Sequence, residues 1–110
     1  MTLAELKTAL ESVNDNAFAG KVAYRAFPVD AAPSLPFICF MEMESENFLA
    51  DSIVYHKLTD VNIEFYSNFK DVTNEEAIES MLNSNKLVWD KEETYIEDED
   101  LVEVIYGITI

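Results

Sequence analysis

Hydrophobic and polar residues recur at helical spacing in the opening segment TLAELKTALESVND. Thr2 and Glu5 stand three residues apart, the spacing of a capping box, in which each side chain bonds the backbone N–H of the other residue. Apolar residues then repeat at three- and four-residue intervals, as on one side of a helix: Leu3, Leu6, Leu10 and Val13. The run Asn14-Asp15-Asn16 is typical of a helix end. The pattern therefore predicts a first helix that begins near Thr2.

The segment TNEEAIESMLNSN shows a second helical pattern. Thr73 and Glu76 repeat the capping-box spacing, and Glu75 and Glu76 fall in the first turn, where the helix dipole favours acids. A narrow apolar stripe is expected to face inward: Ala77, Ile78, Met81 and Leu82. The sequence predicts a helix over 73–85 with Thr73 as its N-cap.

Most of the remaining chain alternates with a period of two, which is typical of strands. The predicted strands cover 21–28, 36–45, 52–58, 59–68, 87–89 and 101–110. Val61, Ile63 and Phe65 share one face of the fourth strand. The inner face of the closing strand is predicted to hold Val102, Val104, Tyr106, Ile108 and Ile110. The charged segment KEETYIEDED, 91–100, is interpreted as an acidic connection between the last two strands.

The order α-β-β-β-β-α-β-β predicts an α+β fold: a mostly antiparallel sheet with two helices packed on one face. A chain of 110 residues fits one domain over 1–110. With 49% hydrophobic and 12% aromatic residues, the chain can form a core despite its high charge.

The net charge of −15 comes from 22 acidic and 7 basic residues. Binding to duplex DNA or to an anionic membrane needs stripes of Lys and Arg, so neither partner is expected. The lone cysteine, Cys39, lies in the apolar run PFICFM and is predicted to be a buried core thiol. Without a membrane-length apolar run or a leader-like start, we expect a soluble protein made in a cytoplasm.

The residues that carry chemistry are few. His56 is the single histidine, and a zinc site or a catalytic triad needs further partners. The acidic run 92–100 lacks the glycine and the spacing of a calcium loop. We therefore expect no enzyme, no metal and no cofactor; a small acidic enzyme would instead need a pocket that binds metal.

Acidic residues concentrate late in the chain: residues 71–103 hold twelve of them against Lys86 and Lys91. One electronegative surface is predicted, with these candidates: Glu92, Glu93, Glu97, Asp98, Glu99 and Asp100. The polar loop ENFLAD carries Phe48 and Leu49, which either contact a neighbouring molecule or fold back onto the core. The candidate interface comprises Phe48, Leu49, Asp51 and His56.

Residues 36–110 resemble small structural proteins of phages with long non-contractile tails. The resemblance lies in Asn47-Phe48 with Ala50-Asp51, in Val54-Tyr55 ahead of the segment 63–66, and in the closing strand around Tyr106. It continues through these residues: Trp89, Glu93, Tyr95, Ile96, Glu97 and Glu99.

This resemblance implies a tail terminator or a related head–tail joining protein. Such proteins cap the growing tail tube, stop its polymerisation and offer a surface to the head, typically as hexameric rings with a small α/β fold. The implied partners are further copies of the chain, the major tail protein and a head-completion or connector protein. The implied location is the virion at the head–tail junction, after a period in the host cytoplasm. The resemblance carries no catalytic residues.

A DNA-mimic inhibitor is the alternative from another class, because a small acidic protein can block a basic DNA-binding protein. It predicts salt-sensitive binding to such a protein, whereas assembly predicts symmetric self-association, or capture by tail tubes, that survives salt.

Overall fold

The computed structural model describes residues 1–47 and 57–110, without the side chains of 44–47 and 57. Its elements are α1 (Leu3–Asn16), β1 (Val22–Tyr24), β2 (Phe37–Asn47), β3 (Lys57–Ser67), α2 (Val72–Ser84), β4 (Trp89–Ile96) and β5 (Leu101–Thr109). The strands of this part of the chain form a sheet of order β1-β2-β3-β5-β4, in which only the β1–β2 pair is parallel. The predicted α+β class is confirmed.

Helix α1 begins as the sequence predicts. The Thr2 hydroxyl accepts from the Glu5 N–H at 3.1 Å, and the Glu5 carboxylate accepts from the Thr2 N–H at 2.8 Å. The end of the helix also lies at the predicted residues: Asn14, Asp15 and Asn16 all have positive φ. Asn and Asp tolerate this left-handed backbone better than most residues, so they terminate the helix here.

Helix α2 begins two residues earlier than the Thr73 cap predicts, because Asp71 is its N-cap. The Asp71 carboxylate accepts from the Asn74 N–H at 3.2 Å and from the Asn74 side-chain amide at 2.7 Å. The predicted Thr73 cap is therefore wrong. The buried Asp71 carboxylate satisfies the backbone N–H of Asn74 in the first turn, and Thr73 is left exposed inside the helix.

Both helices pack on one face of the sheet, around a core that the alternation predicted. Val61, Ile63 and Phe65 are fully buried, and Tyr106 of β5 is buried among them. From the helices, the core receives Leu6, Leu10, Val13, Ile78 and Leu82. Phe18, from the turn after α1, meets Phe65 edge to face with ring centroids 5.7 Å apart. The apolar stripes of the helices and the inward faces of the strands thus pack together in one apolar layer.

The strand predictions need two corrections. The predicted strands 52–58 and 59–68 overlap a single strand, β3, which starts at Lys57; residues 52–56 lie outside the described residues. The segment 91–96 is not a connection but most of β4, paired with β5 from Trp89↔Ile108 to Ile96↔Leu101. β4 forms the edge of the sheet, where solvent reaches both sides, so a strand can carry charges that a central strand would not.

Cys39 is free and buried, as predicted. Burial raises the pKa of its thiol to about 11, and the nearby Glu64 carboxylate contributes to the same shift. At neutral pH the thiol is therefore protonated and chemically inert.

Candidate functional site

The face of the sheet opposite the helices is uncovered by any described helix; we call it the helix-free face. It is defined by strand residues that alternate with the core positions, in cross-strand rows: Cys39–Glu64–Ile105–Glu92, Met41–Asn62–Gly107–Asp90 and Phe37–Tyr66–Glu103–Thr94. Aromatic and aliphatic side chains are interleaved with carboxylates in these rows. Apolar side chains that lie between charged ones on a partly solvated face are typical of a surface that contacts another molecule.

The charges on the helix-free face all have one sign. Glu64, Glu92, Glu103 and Asp90 belong to it, and no lysine or arginine lies on it among the strand side chains that the structure describes. In the same part of the chain, the ion pairs join only Lys70 and Lys91 to acids on the other face. As far as the structure describes the chain, the helix-free face is therefore an electronegative surface whose charges are not neutralised by ion pairs.

Glu64, Tyr66 and Glu103 form the centre of this surface. The Tyr66 hydroxyl donates to Glu64 Oε1 at 3.1 Å. Desolvation raises the pKa of the Glu64 carboxyl, and the nearby Glu103 charge raises it further. The hydrogen bond from Tyr66 lowers this pKa but does not cancel the rise. Burial also raises the pKa of the Tyr66 phenol, as do both neighbouring carboxylates. Like charges this close disfavour ionisation, which a cationic partner would relieve.

The predicted acidic surface is divided by the backbone. Neighbouring strand residues point to opposite faces, so Glu92 lies on the helix-free face while Glu93 lies on the helix side and pairs with Lys70. The turn between β4 and β5 carries the other four acids together: Glu97, Asp98, Glu99 and Asp100. Asp100 accepts a hydrogen bond from the Tyr95 hydroxyl. The predicted candidates are thus exposed, but they do not form one continuous cluster.

The other predicted set, Phe48, Leu49, Asp51 and His56, lies outside the described residues. Its role as a subunit or tube interface stays a prediction.

A second charged cluster, which the sequence interpretation missed, joins α2 to the sheet. Glu75 of α2 is 1% exposed. Its Oε1 atom lies 2.7 Å from the ammonium of Lys70 and 2.7 Å from that of Lys91. Lys91 also contacts Glu79 Oε2 at 2.8 Å, and the same oxygen accepts from the Tyr106 hydroxyl at 2.7 Å.

Opposing contributions set the pKa values in this cluster. Burial alone raises the pKa of the Glu79 carboxyl, but the bonds from Lys91 and Tyr106 outweigh it and leave the pKa lowered. Burial likewise opposes the charge on Lys91, and the bonds to Glu75 and Glu79 nevertheless leave its pKa raised. These bonds favour the charged forms of the Glu79 carboxylate and the Lys91 ammonium, and the cluster fastens α2 to β4 and β5. Its sequence signal was available, since Glu75 precedes Ile78 by three residues and Leu82 by seven, and so lies on the buried stripe.

An open groove lies at one end of the sheet. Lys86, Val88, Trp89, Asp60, Asp90 and Thr109 contribute to its lining. Its two carboxylates have local hydrogen-bond partners: Asp60 accepts from the Thr109 hydroxyl at 2.8 Å, and Asp90 accepts from the Gly107 N–H at 3.2 Å. Over residues 1–47 and 57–110, no three side chains of metal-ligating type converge on one point.

Comparison with known proteins adds no family assignment. The chain matches no protein-family model, and a search of curated proteins gives no significant match. None of the described helices is long and apolar enough to cross a membrane.

Proposed function

We propose that this chain is a structural protein of a phage tail. It caps the tail tube, ends tube polymerisation and forms part of the head–tail junction as a ring of identical copies. The resemblance of residues 36–110 to proteins of this type suggests the role, and the α+β fold is compatible with it. The partners are other copies of the chain, the major tail protein and a head-completion or connector protein.

The observation that carries the proposal is the helix-free face. Among the described residues, no ion pair joins its carboxylates to a lysine or arginine, and apolar side chains such as Met41 and Ile105 share the face with them. A negatively charged surface beside a channel for DNA repels the phosphate groups, so that DNA passes through the channel without binding. The interleaved apolar residues supply area for protein contacts at the margins of such a surface.

Removal of the gene from the phage or prophage that encodes this chain tests the role. The expected result is tail tubes of uncontrolled length without heads, seen by negative-stain electron microscopy. Supply of the chain in trans should restore a single tube length and head attachment. Tails of normal length that join heads without the chain would refute the proposal.

A DNA-mimic inhibitor is the second candidate, and the same face favours it, because an array of uncompensated carboxylates also suits a basic DNA-binding protein. The two functions differ in phenotype. An inhibitor leaves tail length unchanged when deleted, and its complex with a basic protein weakens steeply as salt rises.

A further inference from the structure

The two edges of the sheet carry opposite charge. At one edge, β1 lies within residues 17–29, a stretch that contains Lys21 and Arg25 and no acid. At the other edge, β4 and the turn that follows it lie within 89–100, which contains seven acids and Lys91. One acid from elsewhere in the chain reaches this edge, because Glu11 Oε2 accepts from the Gly20 N–H at 3.1 Å, but the charges within 17–29 itself are positive.

The acids at the β4 edge are available to a partner, unlike the lysine beside them. Lys91 is engaged with Glu75 and Glu79 on the helix side, and Glu93 is engaged with Lys70. Glu92 points to the opposite face, and Glu97 stands exposed in the turn. Neither Glu92 nor Glu97 takes part in an ion pair with another described residue. The charge at this edge that these ion pairs leave unneutralised is therefore negative.

Both edges also expose apolar surface next to these charges. Val29 is 90% exposed and Tyr24 is 44% exposed at the β1 side, while Tyr95 of β4 is 55% exposed. An edge strand presents unpaired backbone groups that another chain can use. Each edge thus combines charge, apolar area and hydrogen-bonding capacity, which are the components of a protein–protein contact.

We propose that the β1 edge of one copy docks against the β4 edge and the β4–β5 turn of the next copy. In this contact, Lys21 and Arg25 face Glu92 and the acids that begin at Glu97. Complementary patches at different places on one molecule form head-to-tail contacts, which close into a ring when the rotation per copy is suitable. The inference rests on the proposed ring assembly and names its subunit interface.

The interface also explains how copies of such an acidic chain associate. Like-charged molecules repel one another at long range, and complementary patches select one orientation in which the nearest charges attract. Two β4 edges brought together, or two β1 edges, would place like charges side by side. The pairing is therefore directional.

Charge reversal tests the contact. One variant carries Lys21→Glu with Arg25→Glu, and the other carries Glu92→Lys with Glu97→Lys. Each variant alone places like charges across every interface, so half-assembly should need at least about tenfold more protein than the wild type. An equal mixture restores opposite charges at every junction of an alternating ring, and rings should reappear with an even number of copies. Light scattering and native mass spectrometry measure both results.

Control variants separate the interface from net charge and from misfolding. Glu76→Lys and Lys7→Glu reverse exposed charges on the two helices and should leave assembly unchanged. Circular dichroism checks that each variant is folded. Unchanged assembly of both reversal variants, or failure of the mixture to assemble, would overturn the interface.

Failure of this interface and failure of the proposed function can be told apart. A wild-type chain that stays monomeric at every concentration overturns this interface as well, whereas tube length in the deleted phage still decides the capping role. Normal tube length without the gene, combined with rescue by the mixed variants, would keep the interface and reject the role.

Discussion

The ammonium of Lys91, on the edge strand β4, lies 2.7 Å from a carboxylate oxygen of Glu75, on α2. The Glu75 side chain is only 2% exposed, whereas that of Lys91 is 30% exposed. A buried carboxylate is costly unless it is paired. The ion pairs of Glu75 with the two lysines therefore stabilise the packing of α2 against the sheet. The contact links an edge strand of high charge to the layer of helices.

Glu75→Gln removes the buried charge and leaves Lys70 and Lys91 without their shared partner. We expect a loss of about 1–2 kcal/mol in the free energy of unfolding, less than for a fully buried pair because both lysines are partly solvated. Urea denaturation followed by circular dichroism measures it. Glu76→Gln is the matched control, since Glu76 is exposed one residue away, and should change stability by less than about 0.5 kcal/mol. Equal effects of the two variants would contradict the structural role of Glu75.

The residue that caps α2 in the structure, Asp71, is not the one that the sequence pattern predicts, Thr73. Asp71→Ala removes the side chain that accepts from the Asn74 N–H, and should cost about 1 kcal/mol of stability. Thr73→Ala should cost a few tenths at most or stabilise slightly, because alanine is the better helix former inside the first turn. The urea midpoints of the two variants measure the difference. A larger loss for Thr73→Ala would restore Thr73 as the cap.

Gly107 and Asp90 are coupled across β5 and β4. A Cβ atom added at Gly107 would lie 2.5 Å from Asp90 Oδ1, the atom that accepts from the Gly107 N–H. Gly107→Ala must therefore displace the carboxylate and break the bond. We expect this substitution to be about 1 kcal/mol less favourable in the wild type than in an Asp90→Ala background. A double-mutant cycle measures the coupling, and additive effects would show that the carboxylate moves aside without cost.

Ionisation of the Glu64 carboxyl makes the stability of the fold depend on pH in a direction that follows from its pKa shift. Desolvation raises its pKa in the folded state above the ordinary value of 4.5. The folded chain therefore takes up this proton at a higher pH than the unfolded chain. This group opposes folding most above its folded pKa, and its penalty fades as pH falls through that pKa toward 4.5.

Glu64→Gln should accordingly raise the urea midpoint at pH 7, and its advantage over the wild type should shrink as pH falls toward 4.5. Unfolding curves at several pH values measure this difference. Glu92→Gln on the exposed edge strand is the control and should change the stability at pH 7 by less than about 0.5 kcal/mol. A midpoint gain for Glu64→Gln that is independent of pH would assign the effect to packing.

The sequence by itself determined the features that depend on local geometry. The capping box of Thr2 and Glu5 and the Asn14–Asn16 stop are set by backbone preferences within a few residues, so both were predicted correctly. The inward face of β3 followed in the same way, because strand residues alternate whatever the neighbouring strand is. The α+β class then followed from the order of these elements.

Only the tertiary structure determined which charged residues are paired. Glu75 and Glu76 are neighbours in a run of acids; the helical stripe turns only Glu75 inward, and there Lys70 and Lys91 pair with it. The segment that begins at Lys91 looked like a connection, since its composition is unfavourable for a strand with a buried face. It forms β4 because β5 offers a partner and the sheet ends there. A charge tolerates burial or a strand position only when a distant residue compensates it, and the order of amino acids along the chain does not record that partner.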